Sequence, residues 1–578
     1  MSSTDLHIYK FGEFRIEAAK RMLLRDGGAV PLTPKVFDTL LHLVQRHGDT
    51  VDKEELMRAV WPDSIVEENN LNQNVSALRR VLGERRGESR YILTVPGKGY
   101  RFIASVEVIE GAVAGTPRAT IAVLPFENLS ADAEREYFGD GLTEETIAAV
   151  GQIDPEYLSV IGRTSVMAYK RTNKTAGEIG RELNASYLIE GSLRAEGGRL
   201  RIMSRLIRVR DQVQVWSASH DGQPGSLLTF QRELSAAIAE QVRLRLSPER
   251  MDALGRRQTQ NAQAYDLYLR GRYLWHQLSP ATTRRAAEHY MRATELDPDY
   301  ALAWSGLADG FSASPINGDA SPLAVWPRAR EAVMQALRAE PNLAEVQGSL
   351  GFMRFWLDWD WRGAEEAFRK AIELDPNYPL PHRMLGILFS YLGRREEAKK
   401  AIGRARELDP LLAVHHALSA QVAFFGRDYD AAQRFARQAI AIDPEFWVGH
   451  MQLAQALAET NETDAAFDSL ENAERTSGGN SKVLGLRGYL FGRLGRVDGA
   501  QEVMKTLEAI SRERYVPPYA MALVHAGLGE NREALGWLER GLEAHDVHLT
   551  FLPADAKWDR LRGDAGFSDL VARCRFEI

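Results

Sequence analysis

Five prolines recur at a nearly constant interval in the second half of this 578-residue chain, and this period constrains the fold more than any other feature. Successive prolines are 43, 35, 34 and 34 residues apart; they are Pro298, Pro341, Pro376, Pro410 and Pro444. A unit of this length cannot bury its own apolar face, so neighbouring copies must stack to build one continuous core. The period therefore predicts an array of similar units.

Two alanines accompany every proline, one twelve residues and one five residues before it. The first set is Ala286, Ala329, Ala364, Ala398 and Ala432, and the second is Ala293, Ala336, Ala371, Ala405 and Ala439. Small side chains let two helices cross closely, and a proline ends the second helix before the next unit begins. The pattern indicates consecutive pairs of antiparallel helices.

This period and these alanines resemble the tetratricopeptide repeat, and residues 384–410, MLGILFSYLGRREEAKKAIGRARELDP, are close to a consensus copy. The resemblance implies an all-α solenoid over residues 260–578. We expect about eight helix pairs between residues 263 and 544, followed by a carboxy-terminal cap. The longest interval marks an insertion at residues 312–322. Such a solenoid has a concave groove that holds a peptide or protein partner, here an unidentified one.

A second pattern, at residues 68–102, joins a basic amphipathic helix to a glycine-containing hairpin. On the helix, Leu71, Val75, Leu78 and Leu82 form one narrow apolar stripe at 3.6 residues per turn. Between Asn69 and Arg101 there are seven Lys or Arg and two Asp or Glu residues. We therefore expect this surface to bind a polyanion, with the following candidate contacts: Asn72, Gln73, Ser76, Ala77, Arg79, Arg80, Lys98 and Arg101.

Four segments in order resemble the winged-helix DNA-binding domain of the OmpR/PhoB class: residues 32–51, 52–62, 70–83 and 94–102. The resemblance implies a domain over residues 1–105 whose third helix enters the major groove of double-stranded DNA while the wing contacts a minor groove. It also implies a loop that touches RNA polymerase, with Asp63, Ser64 and Glu67 as candidates. Ser76 and Ala77 stand where many relatives carry arginine.

Residues 106–118, rich in glycine and small side chains, are expected to be a flexible linker. In the membrane-anchored ToxR and CadC types a spanning helix occupies this place, but no stretch of 18 apolar residues occurs here. The amino terminus lacks an apolar signal segment, and the single cysteine, Cys574, suits a reducing compartment. The sequence thus predicts a cytoplasmic protein without a membrane partner.

Residues 119–247 alternate strand and helix patterns. IAVLPFENLS, FGDGLTEE and YLIEGSLR within them resemble the amino-terminal domain of TolB and the related FlgO-like domain. This resemblance implies a small α/β domain. Its motifs carry no chemistry, so it implies no activity.

An enzymatic interpretation needs a catalytic constellation. A cyclase of the two-metal type needs carboxylates on neighbouring strands, but Glu127, Asp132 and Asp140 fall in a loop and at a helix start. Phosphate-binding loops, nucleophile elbows and dinucleotide motifs are missing. The histidine pairs at 415–416 and 545/548 lack further metal-ligand residues, and we interpret Trp356, Trp359 and Trp361 as packing residues. We therefore predict no catalytic residues, no cofactor and no metal.

The fold class expected is multidomain: an α+β winged helix, a small α/β domain and an all-α solenoid. The expected function is that of a one-component transcriptional regulator that binds DNA sequence-specifically and receives a signal through its repeats. The alternative is an interaction scaffold or an adenylate-cyclase-like signalling protein with a residual winged helix. An intact polar helix face and a basic wing favour the first interpretation.

Overall fold

The computed structural model divides into two compact units, Met1–Arg118 and Ala119–Ile578. The structure describes residues 8–17, 22–25, 28–30, 32–61, 68–84, 89–109, 119–129, 136–154, 158–196, 199–222, 238, 259, 261–275, 280–318 and 320–576. Within these ranges no helix is long and apolar enough to cross a membrane. The three predicted architectures, winged helix, small α/β domain and helical solenoid, are all present.

The first unit packs three helices against two antiparallel sheets. The helices are α1 Pro34–Gln45, α2 Lys53–Val60 and α3 Glu68–Val81. The strands are β1 Ile8–Phe11, β2 Phe14–Glu17, β3 Met22–Arg25, β4 Gly28–Val30, β5 Thr50–Asp52, β6 Ile92–Val95, β7 Gly99–Phe102 and β8 Glu107–Ile109. One sheet has the order β4-β3-β2-β1-β8 and the other β5-β7-β6. Four buried aromatic rings, Phe11, Phe14, Tyr91 and Phe102, meet where the sheets join the core.

The expected linker at residues 106–118 does not begin where the sequence suggests. Strand β8 lies within it and pairs antiparallel with β1, with Tyr9 opposite Val108. Its Val and Ile residues favour a β-strand, and Val106 packs against the core of the unit. Residues 110–118 lie outside the described residues.

The second unit opens with a mixed sheet of the order β11-β9-β12-β13-β14, with β10 paired to β12. Its strands are β9 Ala119–Val123, β10 Glu127–Asn128, β11 Leu158–Val160, β12 Tyr187–Glu196, β13 Arg199–Arg208 and β14 Val213–Gly222. Helices α4 Glu136–Ile153, α5 Arg163–Met167 and α6 Ala176–Glu182 connect them. The pairs of β9 with β11 and β12 are parallel, and the long hairpins are antiparallel. The rest of the predicted α/β domain, residues 223–247, lies outside the described residues apart from Ile238.

Sixteen further helices form eight pairs, as the repeats predict, over the described part of residues 262–543. They are α7 Ala262–Trp275, α8 Pro280–Leu296, α9 Ala301–Gly318, α10 Pro322–Ala339, α11 Ala344–Met353, α12 Trp361–Leu374, α13 Pro379–Tyr391, α14 Arg395–Leu408, α15 Ala413–Phe425, α16 Tyr429–Ile442, α17 Trp447–Glu459, α18 Thr463–Ser477, α19 Ser481–Arg493, α20 Val497–Ser511, α21 Pro518–Leu528 and α22 Asn531–Glu543. All ten repeat alanines are buried, at 0–1% exposure.

A hydrogen bond that the sequence analysis missed recurs in five consecutive repeats. The side chain six residues after each repeat proline donates to that proline's carbonyl oxygen, at 2.7–3.1 Å. The donors are Trp304, Gln347, His382, His416 and His450. Since a carbonyl only accepts, these histidines carry a proton on Nε2, and His416 has a structural role in the repeat.

The insertion after the first repeat extends a helix. Residues 312–318 continue α9 even though Pro315 lies inside it. Proline has no backbone N–H for the carbonyl of Phe311, and the Ser314 hydroxyl donates to that oxygen at 2.9 Å. At the end of this extension, the Asn317 carbonyl accepts a hydrogen bond of 3.2 Å from the Asn480 side chain, which belongs to the seventh repeat.

The last residues do more than cap the final repeat. Residues 545–576, here called the C-terminal segment, contain two short 3₁₀ helices, Val547–Phe551 and Ala556–Leu561, and helix α23 Ala565–Arg573. His545 stacks between Trp326 and Trp359, with ring centroids 4.4 and 4.0 Å away. Phe576 stacks on Trp361 at 4.4 Å. The three tryptophans predicted to be packing residues are buried, and this segment covers two of them.

The small α/β domain rests on the connectors between repeats. The Asn377 amide donates to the carbonyls of Gly151 and Leu158, each at 3.2 Å. The Asp409 carboxylate accepts from the backbone N–H of Ser165 at 2.8 Å and from its hydroxyl. Burial raises the pKa of Asp409, and the hydrogen bonds from Ser165 oppose that rise. The α/β domain and the repeats, expected as separate domains, thus share one compact unit.

In the part of the chain that the structure describes, and outside regular secondary structure, the Asn377 amide is the donor to these two carbonyls, so its loss should be costly. We expect Asn377→Ala to lower the free energy of unfolding of the second unit by about 2–3 kcal/mol. Asn342→Ala is the matched control because Asn342 holds the same place in the preceding repeat and is exposed; it should change stability by less than about 0.5 kcal/mol. Urea unfolding followed by circular dichroism measures both, and equal losses would contradict the assigned role of Asn377.

Candidate nucleic-acid interface

Helix α3 is anchored by the apolar stripe that the sequence predicts. Leu71, Val75, Leu78 and Leu82 are 0–2% exposed in the core of the first unit. A polar contact missed by the sequence analysis adds to this packing: the Asn74 amide donates to the carbonyl of Lys35 at 3.1 Å and to the Thr39 hydroxyl at 3.0 Å. The Asn74 side chain therefore fixes helix α3 to helix α1 through two hydrogen bonds.

The opposite face of α3 is open to solvent. Gln73, Ser76 and Arg80 are exposed, and within the described part of the chain none of them has an ion pair. Ala77, expected on this face, is half-buried and packs against the core cluster. The exposed face thus consists of amide, hydroxyl and guanidinium groups, which are the side chains that hydrogen-bond base edges in a groove.

Asn72 and Arg79, also predicted as contacts, are engaged within the protein. Asn72 Oδ1 accepts a hydrogen bond of 2.6 Å from the Tyr100 hydroxyl on β7. Arg79 Nη2 donates to the carbonyl of Ile92 at 3.0 Å and to the Thr94 hydroxyl at 2.7 Å. Both residues connect α3 to the hairpin of β6 and β7, which is the predicted wing.

Glu84 completes this connection, and the sequence analysis did not single it out. Its carboxylate is buried and lies 3.4 Å from Arg79 Nε. Its Oε1 atom accepts from the backbone N–H groups of Tyr91 and Ile92, at 2.5 and 2.9 Å. A buried carboxylate that follows a helix and precedes a strand carries a weak sequence signal, because most such residues are exposed caps. Glu84 holds the start of the wing against the end of α3.

The wing has the predicted shape. Strands β6 and β7 pair antiparallel around the turn at residues 96–98, where Gly97 has φ +72° and Lys98 is exposed. At Gly99 a Cβ atom would lie 2.0 Å from the carbonyl oxygen of Val51, so only glycine fits between β7 and β5. Arg101 donates to the Thr50 hydroxyl through Nε at 2.9 Å and Nη2 at 2.6 Å. Of the two predicted wing cations, Lys98 is therefore exposed, and Arg101 connects β7 to β5.

The loop predicted to contact RNA polymerase lies almost entirely outside the described residues. Asp63, Ser64 and Glu67 lie among residues 62–67, which fall outside the described residues. The preceding helix α2 begins at an Asp52 side chain that caps Glu54 N–H at 2.8 Å, and its last carbonyl, on Val60, accepts from Lys35 Nζ at 2.6 Å. The end of helix α2 is therefore held to α1 through Lys35.

The residues weighed for catalysis or metal binding are not gathered into a site. Asp140 forms ion pairs with Lys170 at 2.5 Å and Arg163 at 3.5 Å, and Glu127 is exposed on β10. Asp132 lies outside the described residues. In the described ranges no group of three or more His, Cys, Asp or Glu side chains could hold a metal ion. His548 instead bonds to the buried carboxylate of Asp546 at 2.7 Å.

Glu84 should control the order of the wing. We expect Glu84→Ala to destabilise the first unit by about 2–4 kcal/mol, because two buried N–H groups lose their acceptor. Glu84→Gln is the matched control: it keeps an oxygen acceptor and should cost about 1 kcal/mol. Hydrogen exchange of the Tyr91 and Ile92 amides measures the effect directly. Unchanged protection in Glu84→Ala would show that the wing start is held by other contacts.

Comparison with known proteins agrees with this geometry. Residues 27–102 match the family described as "Transcriptional regulatory protein, C terminal". The chain is 26% identical over 337 residues to the transcriptional regulator HilA of Salmonella typhimurium, covering 57% of this chain and 58% of that protein. It is 28% identical over 284 residues to putative adenylate cyclase 3 of Rhizobium meliloti, covering 49% and 42%.

Among solved structures, the DNA-binding domain of Escherichia coli CadC is 29% identical, with a TM-score of 0.17, and the match covers 18% of this chain and 96% of that domain. The chain spans about half the length of the curated relatives that it matches. The stretch that carries α1, α2, α3 and the wing is the stretch that the family model matches, and the first unit has the winged-helix architecture of the OmpR/PhoB type.

Proposed function

We propose that this protein is a transcriptional regulator that binds double-stranded DNA sequence-specifically through α3 and the wing. The observation that carries the proposal is an exposed polar face on α3, with Gln73, Ser76 and Arg80, on a helix whose other sides are fixed to the core and to the wing. A helix held in this way presents its side chains in a defined direction, as readout of base edges requires. The match of residues 27–102 to a family of transcriptional regulatory proteins supports it.

The contacts divide the predicted residues into two groups. Gln73, Ser76 and Arg80 read bases, and Lys98 contacts phosphates at the wing tip. Asn72, Arg79 and Arg101 hold the wing to the helix and to β5, so they position the interface. Ala77 is half-buried at the edge of the exposed face, and its small side chain allows close approach of the helix to the groove.

The remaining roles follow from the same proposal. The loop that contains Asp63, Ser64 and Glu67 contacts RNA polymerase in this scheme, as the winged-helix resemblance implies. The second unit receives the signal that regulates transcription, and we assign it no catalytic role because the buried Asp140 is engaged by Lys170 and Arg163. The similarity to HilA, which its name describes as a transcriptional regulator, supports the regulatory function.

A selection of genomic fragments followed by footprinting tests the proposal. The full chain is mixed with sheared DNA, bound fragments are sequenced, and an enriched fragment is footprinted at several salt concentrations. A protected site shared among enriched fragments is the expected result. Binding that shows no sequence preference at any salt concentration would overturn sequence-specific recognition.

Arg80 should contribute to specificity. We expect Arg80→Ala to weaken binding to the selected site by about 1–3 kcal/mol and to weaken binding to random DNA less, because a base contact is lost. Fluorescence anisotropy measures both affinities. Arg25→Ala is the control. Arg25 lies on β3, in the sheet that does not contain the wing, and it is exposed and paired with Glu13. Equal losses on both DNAs would reassign Arg80 to a phosphate contact.

Lys98 should contribute electrostatic affinity that does not depend on sequence. We expect Lys98→Ala to reduce the slope of log K against log salt by about one unit, because one fewer phosphate is neutralised. Lys10→Ala, at an exposed position on β1, is the control and should leave the slope unchanged. A slope that stays constant in Lys98→Ala would place the wing tip away from the DNA.

A further inference from the structure

A cavity of about 510 Å³ lies on the inner face of the repeats, and the DNA proposal gives it no role. The first helix of each of the eight pairs contributes lining residues, from Trp275 on α7 to Leu523 on α21. The volume lies in the range of pockets that take small organic molecules, roughly 300–1,000 Å³. The cavity is confined to the second unit.

Two segments outside the repeat pattern form walls of this cavity. The extension of α9 contributes Ala313 and Ile316, and its end is tied across to the seventh repeat by the bond between Asn317 and Asn480. The C-terminal segment contributes Phe551 and Lys557. An array of repeats alone leaves an open groove suited to an extended peptide. Here the chain's own segments occupy part of that groove, so the remaining space suits a compact ligand.

Most of the lining is apolar and aromatic. Rings come from the inner helices, the π turn at Arg354–Asp358 and the C-terminal segment; they include Phe352, Trp356, Phe425, Trp447 and Phe551. Aromatic faces and edges pack favourably against rings and alkyl chains, so the body of a ligand here must be apolar.

The charges in the lining have one predominant sign. Asp555 is the single carboxylate among the lining residues, and it pairs with Lys557 at 2.8 Å. The lining also includes five cationic side chains: Arg284, Arg328, Arg383, Lys482 and Lys557. With the pair of Asp555 and Lys557 set aside, no acid remains among the lining residues, whereas three arginines do: Arg284, Arg328 and Arg383. A ligand of complementary charge is therefore an anion.

Arg383 is the cation that most needs a partner. Its Nε atom is buried and has no hydrogen-bond partner among the described residues. Burial lowers the pKa of Arg383, and Tyr378, Asp309 and Asp409 oppose that lowering only in part. Neither carboxylate forms an ion pair with Arg383 in the described part of the chain. A half-buried guanidinium without an ion-pair partner is costly, and a bound anion would offset that cost.

Four neutral polar residues of the lining bond to one another: Tyr391, Gln421, Gln452 and Gln455. Gln421 donates to the Tyr391 hydroxyl at 3.1 Å, and Gln452 donates to Gln421 at 3.2 Å. Gln455 donates to Gln452 and accepts from Lys557 Nζ at 3.0 Å. This chain of bonds links three successive inner helices to the C-terminal segment. These four side chains already have partners, whereas Arg383 Nε has none among the described residues, so Arg383 is the group that a polar ligand group would meet.

We propose that this cavity binds a small amphipathic anion, a molecule with an apolar body and one carboxylate or sulfonate group. The apolar body packs among the aromatic rings, and the anionic group pairs with Arg383. This binding is a property of the second unit and does not depend on whether the first unit binds DNA.

The test compares two fluorescent probes that differ by one anionic group, anilinonaphthalene sulfonate and neutral phenylnaphthylamine, titrated into the full chain. We expect saturable binding of the sulfonate, at one site, about tenfold tighter than the neutral probe, because a charge-assisted contact is added. Arg383→Met should remove this preference and leave the neutral probe unaffected. Arg437→Met, which changes an exposed arginine outside the cavity lining, is the matched control and should change neither affinity.

A second pair of variants tests the location. A Cβ atom at Gly310, in the cavity wall, would meet only Ala287 Cβ at 3.7 Å, so Gly310→Ala should bind both probes normally. Gly310→Phe should fill the cavity and weaken both probes at least about tenfold. If near-ultraviolet circular dichroism shows that Gly310→Phe is folded and it still binds the sulfonate as the unaltered chain does, the proposal is wrong. If Gly310→Phe does not fold, the result with Arg383→Met decides.

Competition identifies the ligand body and checks the charge. Displacement of the sulfonate probe by decanoate indicates an aliphatic body, and displacement by naphthoate indicates an aromatic one; either supports the proposal. Displacement by neither, or equal displacement by decylamine, overturns it. Equal affinity of the two probes for the unaltered chain overturns the anionic class.

Discussion

The close crossing of two helices in each repeat is the contact on which the second unit depends. Two fully buried alanines per repeat, such as Ala364 and Ala371, let the helix backbones approach without a gap. Larger side chains at these positions would separate every pair and displace the inner helices. With the helices close together, the inner face accommodates the aromatic rings and glutamines that line the cavity.

The connectors between repeats serve a second purpose in this chain. The loops that follow the third and fourth helix pairs supply Asn377 and Asp409 to the α/β domain. These loops also contain the proline carbonyls that accept from His382 and His416, so their conformation is fixed from the repeat side. Because these loops have a fixed conformation, their hydrogen bonds to the α/β domain hold that domain in one position against the repeats. The sheet of the second unit is thus supported by the repeats that follow it in sequence.

Periodic features were predictable from the sequence, and single long-range contacts were not. The repeat alanines, the apolar stripe of α3 and the wing glycines each leave a local pattern that physical rules translate into structure. The roles of Arg79 and Arg101 were not predictable, because an arginine near a basic surface looks the same whether it faces solvent or donates to Thr94 or Thr50. The same holds for Glu84, whose partners become neighbours only when the wing folds back. Strand β8 falls in the predicted linker because three residues at the edge of a sheet are too few to show an alternating hydrophobic pattern.

The C-terminal segment changes the physical description of the repeat array. A stack in which each unit touches only its neighbours unfolds from its ends, one unit at a time, and its stability is a sum of nearest-neighbour terms. Here the His545 ring stacks between Trp326 and Trp359, which lie 219 and 186 positions earlier in the chain, and Asn480 bonds to Asn317. Fraying of the last pair therefore breaks contacts of the second and third pairs as well. The array gains the cooperativity of a globular domain, and its two ends lose their independence.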